Sequence, residues 1–297
     1  MSKLRQALRR GVQAALKSLP GDAAVFGCQV LLYHAIGSSD SPLALSRARF
    51  RAHLEYLKAH GWRAITLGEY LEGPAGPPPP AGQQEVLLTF DDATVSFLEH
   101  AAPLLAEFGF PAVLFAVSDF VGGRMDWLER DRKRLLSEQR LAFSPAQRRL
   151  IRADMAAQRN SRLLSWRQLR SLQGQAVEVE SHTFAHRFLD ELRPKVLRDD
   201  LCVSRWTIED HLDKTVRTVA YPYGCCTAAV AAAAQEAGYT AGFLASWHFP
   251  SASPFALGRH SVGGIFDELE LGNVLSKGNL RYQELRGMVR GAGTAPH

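Results

Sequence analysis

The chain has 297 residues, 46% hydrophobic and 22% charged, with a formal net charge of +5. That composition excludes disordered, collagenous and membrane-spanning classes and leaves enough chain for one sizeable core. The charge excess is mild and gathers near the N-terminus and over residues 124–170, so a solvated basic face is expected rather than a nucleic-acid partner.

In chain order, residues 1–27 come first, with Leu4, Leu8, Val12, Ala15, Leu16 and Leu19 at helical spacing beside Lys3, Arg5, Arg9 and Arg10. This pattern predicts a short amphipathic basic helix. It either packs on its own domain or makes weak contact with an anionic membrane surface. No apolar h-region follows the basic residues, as a secretory signal would require. The four cysteines, Cys28, Cys202, Cys225 and Cys226, have neither zinc-finger spacing nor a disulfide framework. Both points lead to the expectation of a cytoplasmic protein, with membrane contact through that helix and secretion as the alternatives.

Short apolar runs then recur, each ending in polar residues: 29–33 (QVLLY) before His34, 85–90 (EVLLTF) before Asp91 and Asp92, and 112–117 (AVLFAV) before Ser118. Further runs are 176–180 (AVEVE) before Ser181 and His182, 216–220 (VRTVA) before Tyr221, Pro222 and Tyr223, and 239–244 (YTAGFL). Runs this short and apolar fit strands buried on both faces of a parallel sheet. Helical patterns alternate with them: one opened by Ser46, one over 94–108 stopped by Gly109, one opened by Ser165, one over 194–212, and one opened by Thr227 and stopped by Gly238. Strand–helix alternation predicts an α/β fold, a parallel barrel or a doubly wound sheet. Residues 73–82 (GPAGPPPPAG) read as a stiff loop, and 122–164 as a helical insertion.

The chemistry gathers at predicted strand ends, the rim where parallel barrels build active sites. His182 and His186 are four apart, which on a helical turn would put both imidazoles on one side. Two histidines with one carboxylate form a hydrolytic zinc set that leaves positions open for water and substrate. The adjacent Asp91 and Asp92 point in different directions as they leave a strand, so one can bind metal while the other serves as a base.

TFDDATVSFLEHAAPLLAEFGFPA, VEVESHTFAH and VAYPYG, in that order, resemble the polysaccharide deacetylase family (carbohydrate esterase family four, the NodB-homology domain). LLYHAI and SWRQLRSLQGQ resemble members that modify bacterial exopolysaccharides. The likeness runs from about Val30 to Val262. It implies a distorted parallel (β/α) barrel, usually of seven strands, here over 28–270 with a tail at 271–297. It implies Asp91 as base, and Asp92, His182 and His186 as ligands of Zn2+ or of another divalent ion such as Co2+, Ni2+ or Fe2+. It places Pro222 and Tyr223 along the groove, with the Tyr223 N–H at the oxyanion, and His34 beside the metal. The implied reaction removes N-acetyl groups from an amino-sugar glycan or its precursor. The alternatives are a deacetylase of O-acetyl or non-sugar substrates and a non-catalytic glycan-binding barrel.

The sequence departs from the family pattern at several points. Ala93 stands where glycine is usual, Ala220 where many members carry an arginine that steadies the base, and Glu180 where a small residue is usual. The late L-x-H block reads ALGRHSV, which leaves two candidates: His260 as the general acid, or Arg259 facing the site and orienting other groups. Tyr33, Trp62, Trp166 and Trp247 could stack on sugars, but core packing is the better expectation for most of them.

Overall fold

A computed structural model describes residues 28–37, 44–72, 84–135, 152–153, 155–158, 161–245, 253–263, 271–272 and 274–275. The predicted N-terminal helix, the proline-rich loop, Trp247 and most of the 271–297 tail lie outside these residues.

The strands are β1 (Gln29–Tyr33), β2 (Trp62–Ala64), β3 (Gln84–Phe90), β4 (Ala112–Ala116), β5 (Val177–Ser181), β6 (Thr218–Ala220), β7 (Ala241–Phe243) and β8 (His260–Ser261). All neighbouring pairs are parallel, in the order β7-β6-β5-β4-β3-β1-β8, and β2 pairs with the start of β3. Each of the six predicted strands is present, within a few residues of its expected bounds. The short β2 and β8 carry no apolar run of their own and were not predicted.

The path curls into a distorted barrel of seven strands. The segment 253–263 closes it. Leu257 pairs with Phe243 of β7, while His260 pairs with Leu31 of β1 and the Val262 N–H donates to the Leu32 carbonyl at 2.8 Å. One segment therefore reaches both edges of the curled sheet.

The helices are α1 (Arg47–Ala59), α2 (Leu67–Glu72), α3 (Ala102–Phe108), α4 (Trp127–Leu135), α5 (Trp166–Leu172), α6 (Pro194–Leu212) and α7 (Ala228–Glu236). Ser46, Ser165 and Thr227 cap α1, α5 and α7 through their side chains, and Gly109 ends α3 in the left-handed conformation at φ 68°.

Strand alternation sorts the apolar residues into two layers. Leu31, Leu88, Leu114, Val179 and Val219 pack outward with Phe50, Leu54, Leu105, Leu201 and Ile208 of the helices. Val30, Leu87, Val113, Phe115, Ala220 and Phe243 form a separate cluster inside the barrel. Tyr33 and Trp62 belong to the outer layer, and Trp166 stacks on His211, so these three rings serve packing.

Candidate active site

Asp91 and Asp92 leave the end of β3, His182 follows β5, and Pro222 and Tyr223 follow β6, so all reach one rim. Asp92 Oδ1 lies 3.7 Å from His182 Nε2 and 3.6 Å from His186 Nε2, and the three donor atoms fall within 4.8 Å of one another. All three residues are buried.

These donors fit a divalent metal. A tetrahedron with bonds of about 2.1 Å has edges of about 3.4 Å, close to the spacings found here. The histidines also present the right chemistry. Burial pushes the pKa of His182 down and that of His186 well down, so both imidazoles stay neutral with a lone pair to give. His182 Nδ1 lies 2.8 Å from the Ala220 carbonyl, which can only accept; the proton therefore sits on Nδ1 and leaves Nε2 free as a ligand.

The histidines do not converge through a helical turn. Residues 182–186 form a loop in which Thr183 and His186 take left-handed backbone angles, φ 68° and 51°. Its amides are satisfied by neighbours rather than by helical bonds. Phe184 N–H donates to Asp200 Oδ1 at 2.9 Å, Thr183 N–H to Ser181 Oγ at 3.1 Å, and His186 N–H to Thr183 Oγ1 at 3.2 Å.

Asp91 stands beside the cluster, its Oδ2 3.8 Å from His182 Nε2. Arg259, fully buried in the barrel interior, grips it with two hydrogen bonds, Nη1 to Oδ1 at 2.7 Å and Nη2 to Oδ2 at 2.8 Å. Arg259 is itself fixed by the Leu244 carbonyl on Nε at 2.7 Å and lies over the Phe115 ring at 5.4 Å. Burial alone would raise the Asp91 pKa. The Arg259 charge and its paired hydrogen bonds, with the nearby imidazoles adding to them, outweigh it and bring the carboxyl to about 2. The arginine that Ala220 lacks is thus supplied from the closing segment.

His34, at the end of β1, lies close enough to Asp91 and His182 for its charge to bear on both. His260 is directed elsewhere. Its Nε2 meets Gln29 Oε1 at 3.0 Å, at the opposite end of β1 from His34, and burial pushes its pKa down to about 3. The adjacent Arg259 and His260 face opposite ways, as neighbours on a strand do.

The two remaining departures find structural accounts. Ala93 adopts φ 50° although it is not glycine, with its carbonyl accepting from Leu164 N–H at 2.9 Å. Glu180 is buried and accepts from Lys214 Nζ and from the N–H groups of Arg217 and Thr218, which ties β6 to β5.

A further set of residues reaches the site from α4, in the stretch read as an insertion. Trp127 stacks on the His186 ring at 4.7 Å, Asp131 accepts from the Tyr223 hydroxyl at 2.9 Å, and Arg130 donates to the carbonyls of Ala185 and His186 at 2.8 and 2.7 Å. The sequence held one signal of this. Asp131 falls four residues after Trp127 and four before Leu135, an acid on the buried face of a helix.

Fold and donor set together define a class: parallel α/β barrels with a candidate metal centre at the C-terminal rim. A family model described as polysaccharide deacetylase matches residues 79–242, more than half of the chain, and the chain belongs to that family. It is 23% identical over 213 residues to Bacillus subtilis (strain 168) YxkH, provisionally named a polysaccharide deacetylase; the match covers 72% of this chain and 62% of the relative's length. Among solved structures, IcaB from Ammonifex degensii is similar at TM-score 0.66 and 24% identity, over 87% of this chain and 98% of that one. The Streptococcus pyogenes deacetylase PplD, solved with acetate, is similar at TM-score 0.64 and 20% identity, over 83% and 96%.

Proposed function

We propose that the chain hydrolyses N-acetyl groups on amino-sugar residues of a polysaccharide or its precursor, with a divalent metal, zinc in the first instance, held by Asp92, His182 and His186. The observation that carries this reading is the buried convergence of those three donors beside a fourth group, Asp91, which Arg259 holds apart from them.

When bound, the metal supplies Lewis acidity that polarises the acyl carbonyl and acidifies water, so that a weakly basic carboxylate suffices as proton acceptor. Asp91 takes the proton of the attacking water as it adds to the acyl carbon. Arg259 keeps that carboxylate ionised and aimed. Tyr223 offers its backbone N–H to the charge that develops on the acyl oxygen, and Pro222 shapes the adjoining wall. The C–N bond then breaks, acetate leaves, and the amine takes a proton. In this reading His34 gives it, since His260 faces Gln29. The partner in this reading is an acetylated amino-sugar glycan or its precursor.

The test is acetate release from N-acetylglucosamine oligomers by zinc-loaded protein, beside Asp91→Asn and a chelated sample. Release that disappears in both controls supports the mechanism. Release that survives chelation removes the metal from it, and no release from zinc-loaded protein removes this substrate class.

A further inference from the structure

Several non-glycine residues at the site hold left-handed backbone angles, Asp92, Ala93 and Thr183 among them, and two of these residues touch each other. His186 has φ 51° and Tyr223 has φ 59°. Their side chains meet edge to face at 4.8 Å, His186 from an irregular loop and Tyr223 from the short 3-10 turn Pro222–Gly224. An L-residue keeps such a conformation only where its surroundings over-determine it. One restraint on each comes from the same place, the consecutive residues Arg130 and Asp131 on α4.

Arg130 spends its donors on both sides of the His186 loop. Nη1 donates to the Ala185 carbonyl at 2.8 Å and Nη2 to the His186 carbonyl at 2.7 Å, while Nε and Nη2 each donate to Asp131, both at 2.8 Å. Asp131 uses its Oδ2 again to accept from the Tyr223 hydroxyl at 2.9 Å. Trp127, one turn earlier, stacks on the His186 imidazole at 4.7 Å and 19°, and Phe188 stacks on the Tyr223 ring at 4.2 Å and 19°. The guanidinium therefore bridges a carboxylate and two carbonyls, and the carboxylate bridges the guanidinium and the phenol.

We infer that Arg130 and Asp131 form a positioning clamp that couples the His186 loop to the Tyr223 loop: Arg130 sets the orientation of His186 as a metal ligand, and Asp131 sets the backbone of Tyr223 at the reacting carbonyl. This rests on the proposed metal-dependent reading of the site. The clamp makes α4 part of the catalytic apparatus. It also accounts for a buried carboxylate on a helix whose last turn carries Arg132, Lys133 and Arg134.

The arrangement predicts a division of effects. Arg130 acts through a ligand, and outer-shell partners of ligands are worth about 10–100-fold in metal affinity or activity. Asp131 and the Tyr223 hydroxyl act through one hydrogen bond, so their removals should not multiply.

The experiment measures zinc affinity by chelator competition and steady-state kinetics for the full-length wild type, Arg130→Met, Asp131→Asn, Tyr223→Phe and the Asp131→Asn/Tyr223→Phe double variant. Circular dichroism and urea midpoints confirm that each is folded. Arg130→Lys serves in place of Arg130→Met should the latter not fold. The expected result is a zinc Kd raised about tenfold or more in the Arg130 variant. Asp131→Asn and Tyr223→Phe should each lower kcat with KM little changed, and the double variant should match the weaker single. A folded Arg130 variant whose zinc Kd stays within about twofold of wild type, or multiplying effects at Asp131 and Tyr223, overturns the clamp while leaving the metal site standing. A wild type that binds no zinc overturns the reading of the site itself and the clamp with it.

Discussion

Arg259 and Asp91, 168 residues apart, meet in a two-pronged pair with both hydrogen bonds under 3 Å and both side chains almost fully buried. The pair joins the segment that closes the barrel to the strand that carries the proposed base, so barrel closure and the geometry of the proposed reaction share one contact. Removing one partner of such a pair leaves an uncompensated buried charge, at a cost of about 3–5 kcal/mol. Arg259→Met is therefore expected to lower the urea-unfolding free energy by about that much and to abolish deacetylation. Adding Asp91→Asn to it should recover much of the stability, because no buried charge is then left alone, but none of the activity. A double variant as unstable as Arg259→Met would show that Arg259 matters for packing over Phe115 and not for its charge.

The adjacent aspartates should separate cleanly in metal binding. Asp92 Oδ1 is the carboxylate atom that faces both imidazoles, whereas both Asp91 oxygens are engaged by Arg259. Asp92→Asn, His182→Ala and His186→Ala are each expected to abolish zinc binding. Asp91→Asn should bind zinc with near wild-type affinity while being inactive. Thermal scans with and without zinc check this, since a ligand at a hundred times its Kd stabilises the fold by about 2.7 kcal/mol. Loss of the zinc-induced shift in Asp91→Asn would place that carboxylate among the ligands instead.

How much of this the sequence disclosed follows from the range of the interactions. The six apolar strands and the capped helices rest on local periodicity and capping, and both are visible in a short window of sequence. The Asp91–Asp92 and His182–His186 pairs were legible as chemistry, but the path joining the histidines was not. Their spacing matches a helical turn, while the loop is held by its own Thr183 and by Asp200 and Arg130 from other parts of the chain. β8 is two residues long and has no pattern of its own; its register comes from closing the barrel. Only that register decides that Arg259 faces inward and His260 toward Gln29. Asp131 lies unremarked in the stretch read as an insertion; its spacing from Trp127 and Leu135 is the one signal, and its partner Tyr223 lies 92 residues away with nothing local to pair them.

His260 makes the fold sensitive to acid in a defined window. Burial puts its folded-state pKa at about 3, against 6.5 for the free imidazole. Between these values the unfolded chain binds a proton that the folded chain does not. The unfolding free energy therefore rises with pH across that window, with a slope of at most about 1.4 kcal/mol per pH unit. Above pH 6.5 neither state is protonated, and below about 3 both are, so the slope vanishes at both ends. His260→Gln keeps a neutral polar group beside Gln29 and removes the titration. Urea unfolding at pH 6.5 and pH 5 should show the wild type losing about 1.6 kcal/mol more than the variant. Parallel losses in the two proteins would mean that His260 accepts its proton while folded.

The last step of the proposed reaction needs an acid, and His34 can be separated from every other group by the choice of leaving group. An amine expelled from a tetrahedral intermediate must be protonated, whereas a phenolate leaves without help. A general acid contributes about 10²–10⁴-fold to the steps that need it. His34→Asn should therefore cut kcat on N-acetylated sugars by a factor in that range and reduce cleavage of an aryl acetate far less, with zinc affinity unchanged. Asp91→Asn serves as the contrast, because the base is required whichever group departs, and it should depress both substrates alike. Equal losses on both substrates in His34→Asn would assign His34 to the charge balance around Asp91 and His182, which its position at the end of β1 also allows. The proton would then have to reach the amine from a group other than His34. His260 could not supply it from beside Gln29 without leaving the strand register that holds Arg259 on Asp91.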